Sequence, residues 1–303
     1  MADGRLLSRP RQQLWHSLST KQLFFASLLT KPLGNGPGLS ASASIPDMDH
    51  FSGRGAKDII PLYRDSKATQ PNLHPQLLPL LSRILARMVS AENFSAYQYA
   101  LLAQPAFTAR FHKELATREL RVPLTIDATL FQRAVTLGRE LLFLHSYGER
   151  FTDQQHWPQP VVKNIKSVPG GQLPEEFGYD EARQIINVGG GEFGPVPLAV
   201  WNYEVSGLKV VQSWLGYRMK IRKGKKSSPL DDIAPHEWGS EYNSELVRLL
   251  NLLTRTVELQ PAQAALLDAI LAGPLFNTAA LGPVPPQWRK PSKVTSAQHG
   301  LDV

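Results

Sequence analysis

From Asp127 to Gly148 the apolar residues recur at helical spacing, with Leu130, Ala134, Leu137, Leu141 and Leu144 on one stripe behind a capping aspartate. Such a stripe needs a partner surface, because an amphipathic helix gains most of its stability from tertiary packing. Two nearby segments offer one. Leu77, Leu80, Leu81, Ile84, Leu85 and Met88 repeat with the same period, and Pro79 marks the expected start of the regular part. Ser90-Ala91-Glu92-Asn93 then reads as a cap opening a helix with Phe94, Tyr97 and Leu101 on one side, stopped near Pro105. The spacing predicts at least three packed helices between about residues 73 and 147.

The flanks have a different character. Up to about Ser66 the chain is rich in Gly, Ser and Pro; Leu33 to Gly38 is turn chemistry, and Ile59-Ile60-Pro61-Leu62-Tyr63 reads as a short strand whose proline favours an edge. After Phe151, Pro158, Pro160, Pro169, Gly170 and Gly171 mark a long loop, and Gln184 to Val188 is strand-like. From Val200 to Met219, Leu208, Val211 and Leu215 fall at helical spacing beside Trp201, Tyr203 and Trp214, aromatics expected in the core unless they serve as stacking platforms. Two more helices are expected, one lined by Leu246, Leu249, Leu250 and Leu253, the next by Leu266, Leu267 and Ile270 after a start at Pro261.

These readings give an α+β chain, mixed, in which helix exceeds strand and a helix-rich support carries short strands and long loops. Composition divides it into a loop and short-strand segment (1–66), a helical segment (67–156), a strand and loop segment (157–232), C-terminal helices (233–282) and a polar tail (283–303) expected to be disordered. Residues 66–282 are expected to form one compact unit with 1–66.

With 303 residues, 42% of them hydrophobic, core material is ample. The absence of cysteine excludes disulfide frameworks, zinc fingers, iron–sulfur clusters and thiol nucleophiles. No run approaches the ~20 apolar residues of a membrane span; the longest, Leu23 to Leu29, is cut off by Lys31-Pro32, so no membrane partner is expected. Arg5, Arg9 and Arg11 ahead of that run imitate a targeting signal, but Asp3 and the lack of a small-residue cleavage site argue against one.

Motifs for catalysis are incomplete. Gly189-Gly190-Gly191-Glu192-Phe193-Gly194 satisfies G-x-G-x-x-G after a strand, yet Pro195 and Pro197 follow where a cofactor loop must open into a helix. A glycine-rich hairpin or bulge is the better account. The eight histidines show no H-E-x-x-H spacing, and His236-Glu237 reads as a surface pair. Neither a G-x-S-x-G elbow nor a G-x-x-x-x-G-K-[ST] loop is present, and the pairs Asp47/Asp49 and Asp231/Asp232 read as turn and capping aspartates.

The formal charge of +7 is concentrated. Arg218, Lys220, Arg222, Lys223, Lys225 and Lys226 place six cations in nine residues with no acid among them, nearly the whole excess of 33 basic over 26 acidic residues. Counterion release makes such a cluster a phosphate-binding device, and its bland alternative is a solvated basic loop. A second candidate is Asp49-His50-Phe51-Ser52-Gly53-Arg54-Gly55, where glycines on both sides of Arg54 permit close backbone approach and Arg can read guanine through two hydrogen bonds. A tight turn with a structural arginine accounts for it equally well.

Several strings carry a family resemblance: Val200-Trp201-Asn202-Tyr203-Glu204-Val205-Ser206-Gly207, Trp214-Leu215-Gly216-Tyr217-Arg218, and Lys226 through Ile233. Pro46 through Gly55, Pro61-Leu62-Tyr63-Arg64-Asp65 and Leu144 through Phe151 add to it. Together they resemble the C-terminal specificity region of type ISP restriction-modification enzymes, over about Gly4 to Gly273. Such enzymes join a nuclease, an ATP-driven translocase, an adenine-N6 methyltransferase using S-adenosylmethionine, and a target recognition domain. The resemblance implies the last of these, a module that reads a short duplex DNA site in phage defence. Its strands and loops would form the reading side; Arg218, Lys220, Arg222, Lys223, Lys225 and Lys226 would contact phosphates, and Arg54, His50 and Ser52 would lie near the groove.

No Asn-Pro-Pro-Tyr type motif and no ATP-binding loop occurs, so autonomous catalysis is not expected. No cofactor is expected in this chain; S-adenosylmethionine, ATP and Mg would belong to the domains it lacks. Expected partners are double-stranded DNA and a methyltransferase/translocase polypeptide, in a prokaryotic cytoplasm. Because the resemblance starts within the first few residues, Met1 is expected to lie inside a longer ancestral frame. The alternatives are a fragment completing an adenine-N6 methyltransferase in trans, or an inactive remnant or scaffold whose basic loop binds any polyanion.

Overall fold

The computed structural model describes residues 12–27, 36–46, 50, 58–117, 120–153, 155–221 and 235–290. The chain divides into two compact units, one of residues 1–155 and 260–303, the other of residues 156–259. The first division falls at the composition change after Phe151; the second falls inside a helix and has no compositional mark. The expectation of one compact unit over 1–282 differs from this division.

In the first unit the order is α1 (Gln12–Trp15), β1 (Phe24–Ser27), β2 (Ser40–Ser42), β3 (Asp58–Pro61), α2 (Leu77–Ile84), α3 (Ala91–Leu102), α4 (Pro105–Arg110), α5 (His112–Ala116) and α6 (Ala128–His145). The second contains β4 (Lys163–Lys166), β5 (Phe177–Asp180), β6 (Ile185–Val188), β7 (Gly191–Gly194), α7 (Leu198–Trp201), β8 (Glu204–Val205), β9 (Leu208–Lys209) and α8 (Val210–Gly216). A last helix, α9 (Ser240–Ala272), has residues in both. Helix exceeds strand and the sheets are antiparallel, the α+β mixture that the sequence predicts.

The apolar run from Leu23 is a buried central strand. β1 lies between β2 and β3, and all four of its residues are buried. β3, with Pro61, is an edge, where a missing N–H breaks no ladder bond. Beside this sheet the buried Gln22 side chain imitates a peptide group. Its Oε1 accepts from Tyr63 N at 2.9 Å, and its Nε2 donates to Tyr63 O at 2.8 Å and Ser17 O at 2.6 Å. Arg150, just past α6, donates from Nε to Gln22 O at 2.8 Å and from Nη2 to Ala43 O at 3.3 Å. A guanidinium thus satisfies loop carbonyls that have no strand partner.

The helical layer is built on α3 and α6. Ser90 Oγ accepts from Asn93 N at 3.1 Å, and Asp127 Oδ1 accepts from Thr129 N at 2.8 Å and Leu130 N at 2.9 Å, so both expected caps form. A Cβ at Gly138 would sit 1.8 Å from Ala96 O, so only glycine lets the two helices approach this closely. The buried residues of α6 are Phe131, Ala134, Val135, Gly138, Leu141, Leu142, Phe143 and Leu144, so Ala134, Leu141 and Leu144 of the expected stripe are buried, whereas Leu130 and Leu137 are half-buried. The buried face is therefore wider than the leucine spacing and includes Phe131, which stacks on Tyr97 at 4.8 Å. α2 starts at Leu77, ahead of Pro79; a proline in the first turn removes an N–H that has no intrahelical partner. Met88 lies beyond the end of α2 and is exposed, not on its buried stripe.

In the second unit the sheet order is β4-β7-β6-β5. The glycine fingerprint is the β6–β7 hairpin, turning at Gly189 with φ +53°. Of the residues at helical spacing, Val211 and Leu215 lie on α8 but Leu208 lies on β9: Ser206 (φ 51°) and Gly207 (φ 85°) turn a β8–β9 hairpin between α7 and α8. Two consecutive positive φ values suit the tight turn between antiparallel strands and interrupt any helix. Nor do two helices meet at Pro261. α9 runs through it, with buried positions on both sides, Leu246, Leu250 and Leu253 before and Leu266, Leu267 and Ile270 after. Packing along the helix outweighs the one backbone bond that proline removes.

Candidate nucleic-acid interface

The root of the basic run rests on an aromatic cluster. Trp214 on α8 meets Trp238 edge-on at 6.2 Å and Tyr242 at 6.3 Å, and Trp238 meets Tyr242 at 5.5 Å. Edge-to-face packing suits the ring quadrupoles. Asn243 Oδ1 ties the cluster to the chain before β5, accepting from Trp238 Nε1 at 3.3 Å and from Val168 N at 3.2 Å.

Arg218 closes over this cluster. Its Cζ lies 3.7 Å from the Trp214 ring centroid and 4.8 Å from that of Tyr242. Nη1 donates to Trp214 O at 3.0 Å, and Nη2 stands 3.5 Å from Glu245 Oε2, leaving the side chain 21% exposed. A guanidinium so placed holds its charge by stacking and ion pairing.

Past it Met219 is buried, and Lys220 N donates to Pro174 O at 2.9 Å. Lys220 Nζ reaches outward to Glu175 Oε1 at 2.6 Å, and the hydrogen bond and charge of Lys220 hold the Glu175 carboxyl below its ordinary range. Tyr217 and Ile221, on either side, are exposed. Arg222, Lys223, Lys225 and Lys226 lie outside the described residues.

The second candidate is largely outside as well. Ser52 and Arg54 are not among the described residues; His50 is, with Nε2 2.8 Å from Ser40 Oγ on β2. His50 belongs to the first unit, and Arg218 and Lys220 to the second.

Of the aromatics weighed as stacking platforms, Tyr203 is buried. Trp201 is half-buried and stacks on Tyr179 at 5.4 Å, 13° between planes. Gly191 in the glycine hairpin is needed for packing, since a Cβ there would meet Val168 at 2.6 Å. Among the described residues no group of His, Asp or Glu could hold a metal ion, and no helix is long and apolar enough to cross a membrane. Sequence reasoning missed Glu175 and the Arg218 cage. The four-residue step from Trp214 to Arg218, one helical turn, was the available signal for half of the cage; Tyr242 and Glu245 left none.

No curated protein matches the chain. Among solved structures it is similar to a chain in a cryo-EM structure of a DrdV–DNA complex, with TM-score 0.54 and 18% identity, over 84% of this chain and 25% of that one. It is also similar to the ATP-dependent Type ISP restriction-modification enzyme LlaBIII bound to DNA, with TM-score 0.50 and 15% identity, over 84% of this chain and 16% of that one. The chain thus spans a quarter or less of the length of these structures' chains, and the likeness is one of fold. The model of the Type ISP C-terminal specificity domain matches residues 1–249, and the chain belongs to that family.

Proposed function

We propose that this chain is a target recognition module that binds duplex DNA, reads a short site and presents it to methyltransferase and nuclease machinery carried elsewhere. The observation that carries this reading is the specificity-domain match over residues 1–249. Both solved structures named above hold DNA, and the clustered positive charge gives the module a physical means of binding it. Lys220, Arg222, Lys223, Lys225 and Lys226 contact phosphates, which fix register without reading sequence. Arg218 serves as their anchor, since Nη1, Nη2 and its ring-facing surface are engaged within the second unit. Arg54, His50 and Ser52 are the candidates for contact near the groove. S-adenosylmethionine, ATP and Mg are left to the partner polypeptide, and the setting is a prokaryotic cytoplasm.

The test is selection of the purified chain on a random duplex library at two salt concentrations. Enrichment of one motif at both is the expected result. Uniform, strongly salt-dependent retention leaves a polyanion-binding loop alone, and no retention overturns the reading.

A further inference from the structure

Tyr217 and Ile221 are 64% and 73% exposed, and they flank Lys220 at the start of the basic run. Between them the chain turns two side chains inward and one outward. Arg218 packs into the Trp214–Tyr242 cage and Met219 is buried, while Lys220 is 58% exposed at its side chain. Tyr217, Lys220 and Ile221 therefore share the outward side of a segment whose inward side is held by a cation–π stack and by the Lys220 N to Pro174 O bond. A lone exposed apolar residue is ordinary, but two beside a run of cations present hydrocarbon and positive charge together. Duplex DNA offers the complement, phosphate oxygens next to deoxyribose and base edges.

We propose that Tyr217 and Ile221 make non-ionic contact with the duplex, packing on deoxyribose and base edges beside the phosphates gripped by the basic run. The inference rests on the reading of this chain as a DNA-binding module. Because the contact is apolar, it contributes at every salt concentration and releases no counterions, unlike that of Lys220.

The experiment measures affinity for a short synthetic duplex across a salt series, using the full chain and the variants Tyr217→Ala, Ile221→Asn, their combination, and Lys220→Gln. All three side chains are exposed, and circular dichroism checks that the variants are folded. The double variant is expected to bind about tenfold more weakly at every salt concentration with an unchanged log–log slope, the loss of one well-packed apolar contact. Lys220→Gln is expected to flatten the slope by about one unit. Unchanged affinity in the double variant overturns the inference, as does a loss confined to low salt, which marks a disturbed basic run. Loss of binding to phosphatidylglycerol vesicles with DNA affinity intact also overturns it, assigning the pair to a lipid surface. Absence of DNA binding by the wild-type chain overturns the underlying reading, a result distinct from the others.

Discussion

Arg218 and Trp214 stand one helical turn apart, and the guanidinium of the first lies 3.7 Å from the ring centroid of the second. Glu245 and Tyr242 complete the enclosure from α9. Arg218→Leu is expected to lower stability by about 1–2 kcal/mol through the lost stack and ion pair. Arg218→Lys restores only part of this, because an ammonium cannot stack and donate from one plane. The urea midpoint at constant m-value is the measurement.

Glu175 competes for Lys220. The two are paired at 2.6 Å with both side chains largely exposed, so the pair adds little to stability, but it occupies a cation that the proposed function gives to phosphate. Glu175→Gln is expected to tighten duplex binding severalfold, up to about fivefold at low salt, and to steepen the salt slope by a fraction of a unit. An unchanged or weaker affinity in a salt titration would place Lys220 away from DNA.

Gly138 sets the distance between α3 and α6. With a Cβ there only 1.8 Å from Ala96 O, Gly138→Ala forces the helices apart despite the better helix propensity of alanine. The expected cost is about 1–3 kcal/mol, read as a lower urea midpoint. Gly216→Ala, where a Cβ meets nothing within 4 Å, is the matched control and is expected to change little.

His145 makes the first unit sensitive to acid. Its Nδ1 lies 2.6 Å from the Tyr99 hydroxyl, and burial pushes the imidazole down from 6.5 to about 4. The unfolded chain takes up this proton first, so the group's effect on stability is absent above about pH 6.5 and grows as the pH falls toward 4. The loss is up to about 1.4 kcal/mol per pH unit. His145→Gln removes the titrating group and is expected to flatten that slope in urea melts at pH 7, 6 and 5; identical slopes in both proteins would contradict the assignment.

What could be read from the sequence follows interaction range. The caps at Ser90 and Asp127, the β6–β7 glycine hairpin and the edge strand at Pro61 each depend on residues within a few positions, and each forms. On α6, Ala134, Leu141 and Leu144 follow the leucine spacing, while the burial of Phe131 and Gly138 depends on Tyr97 and Ala96 of another helix. The continuity of α9 through Pro261 depends on burial along its whole length, which local propensity does not contain. At the candidate interface the cluster of charge was visible, but the inward turn of Arg218 was not. Its cage draws on Tyr242 and Glu245, more than twenty residues away.

Specific recognition of duplex DNA is read from the ratio of affinities for a selected site and its scrambled counterpart at physiological salt. The expected ratio is at least about a thousandfold, with both affinities falling when Lys220, Arg222, Lys223, Lys225 and Lys226 are changed together to Gln. Equal affinity for the two duplexes would contradict it.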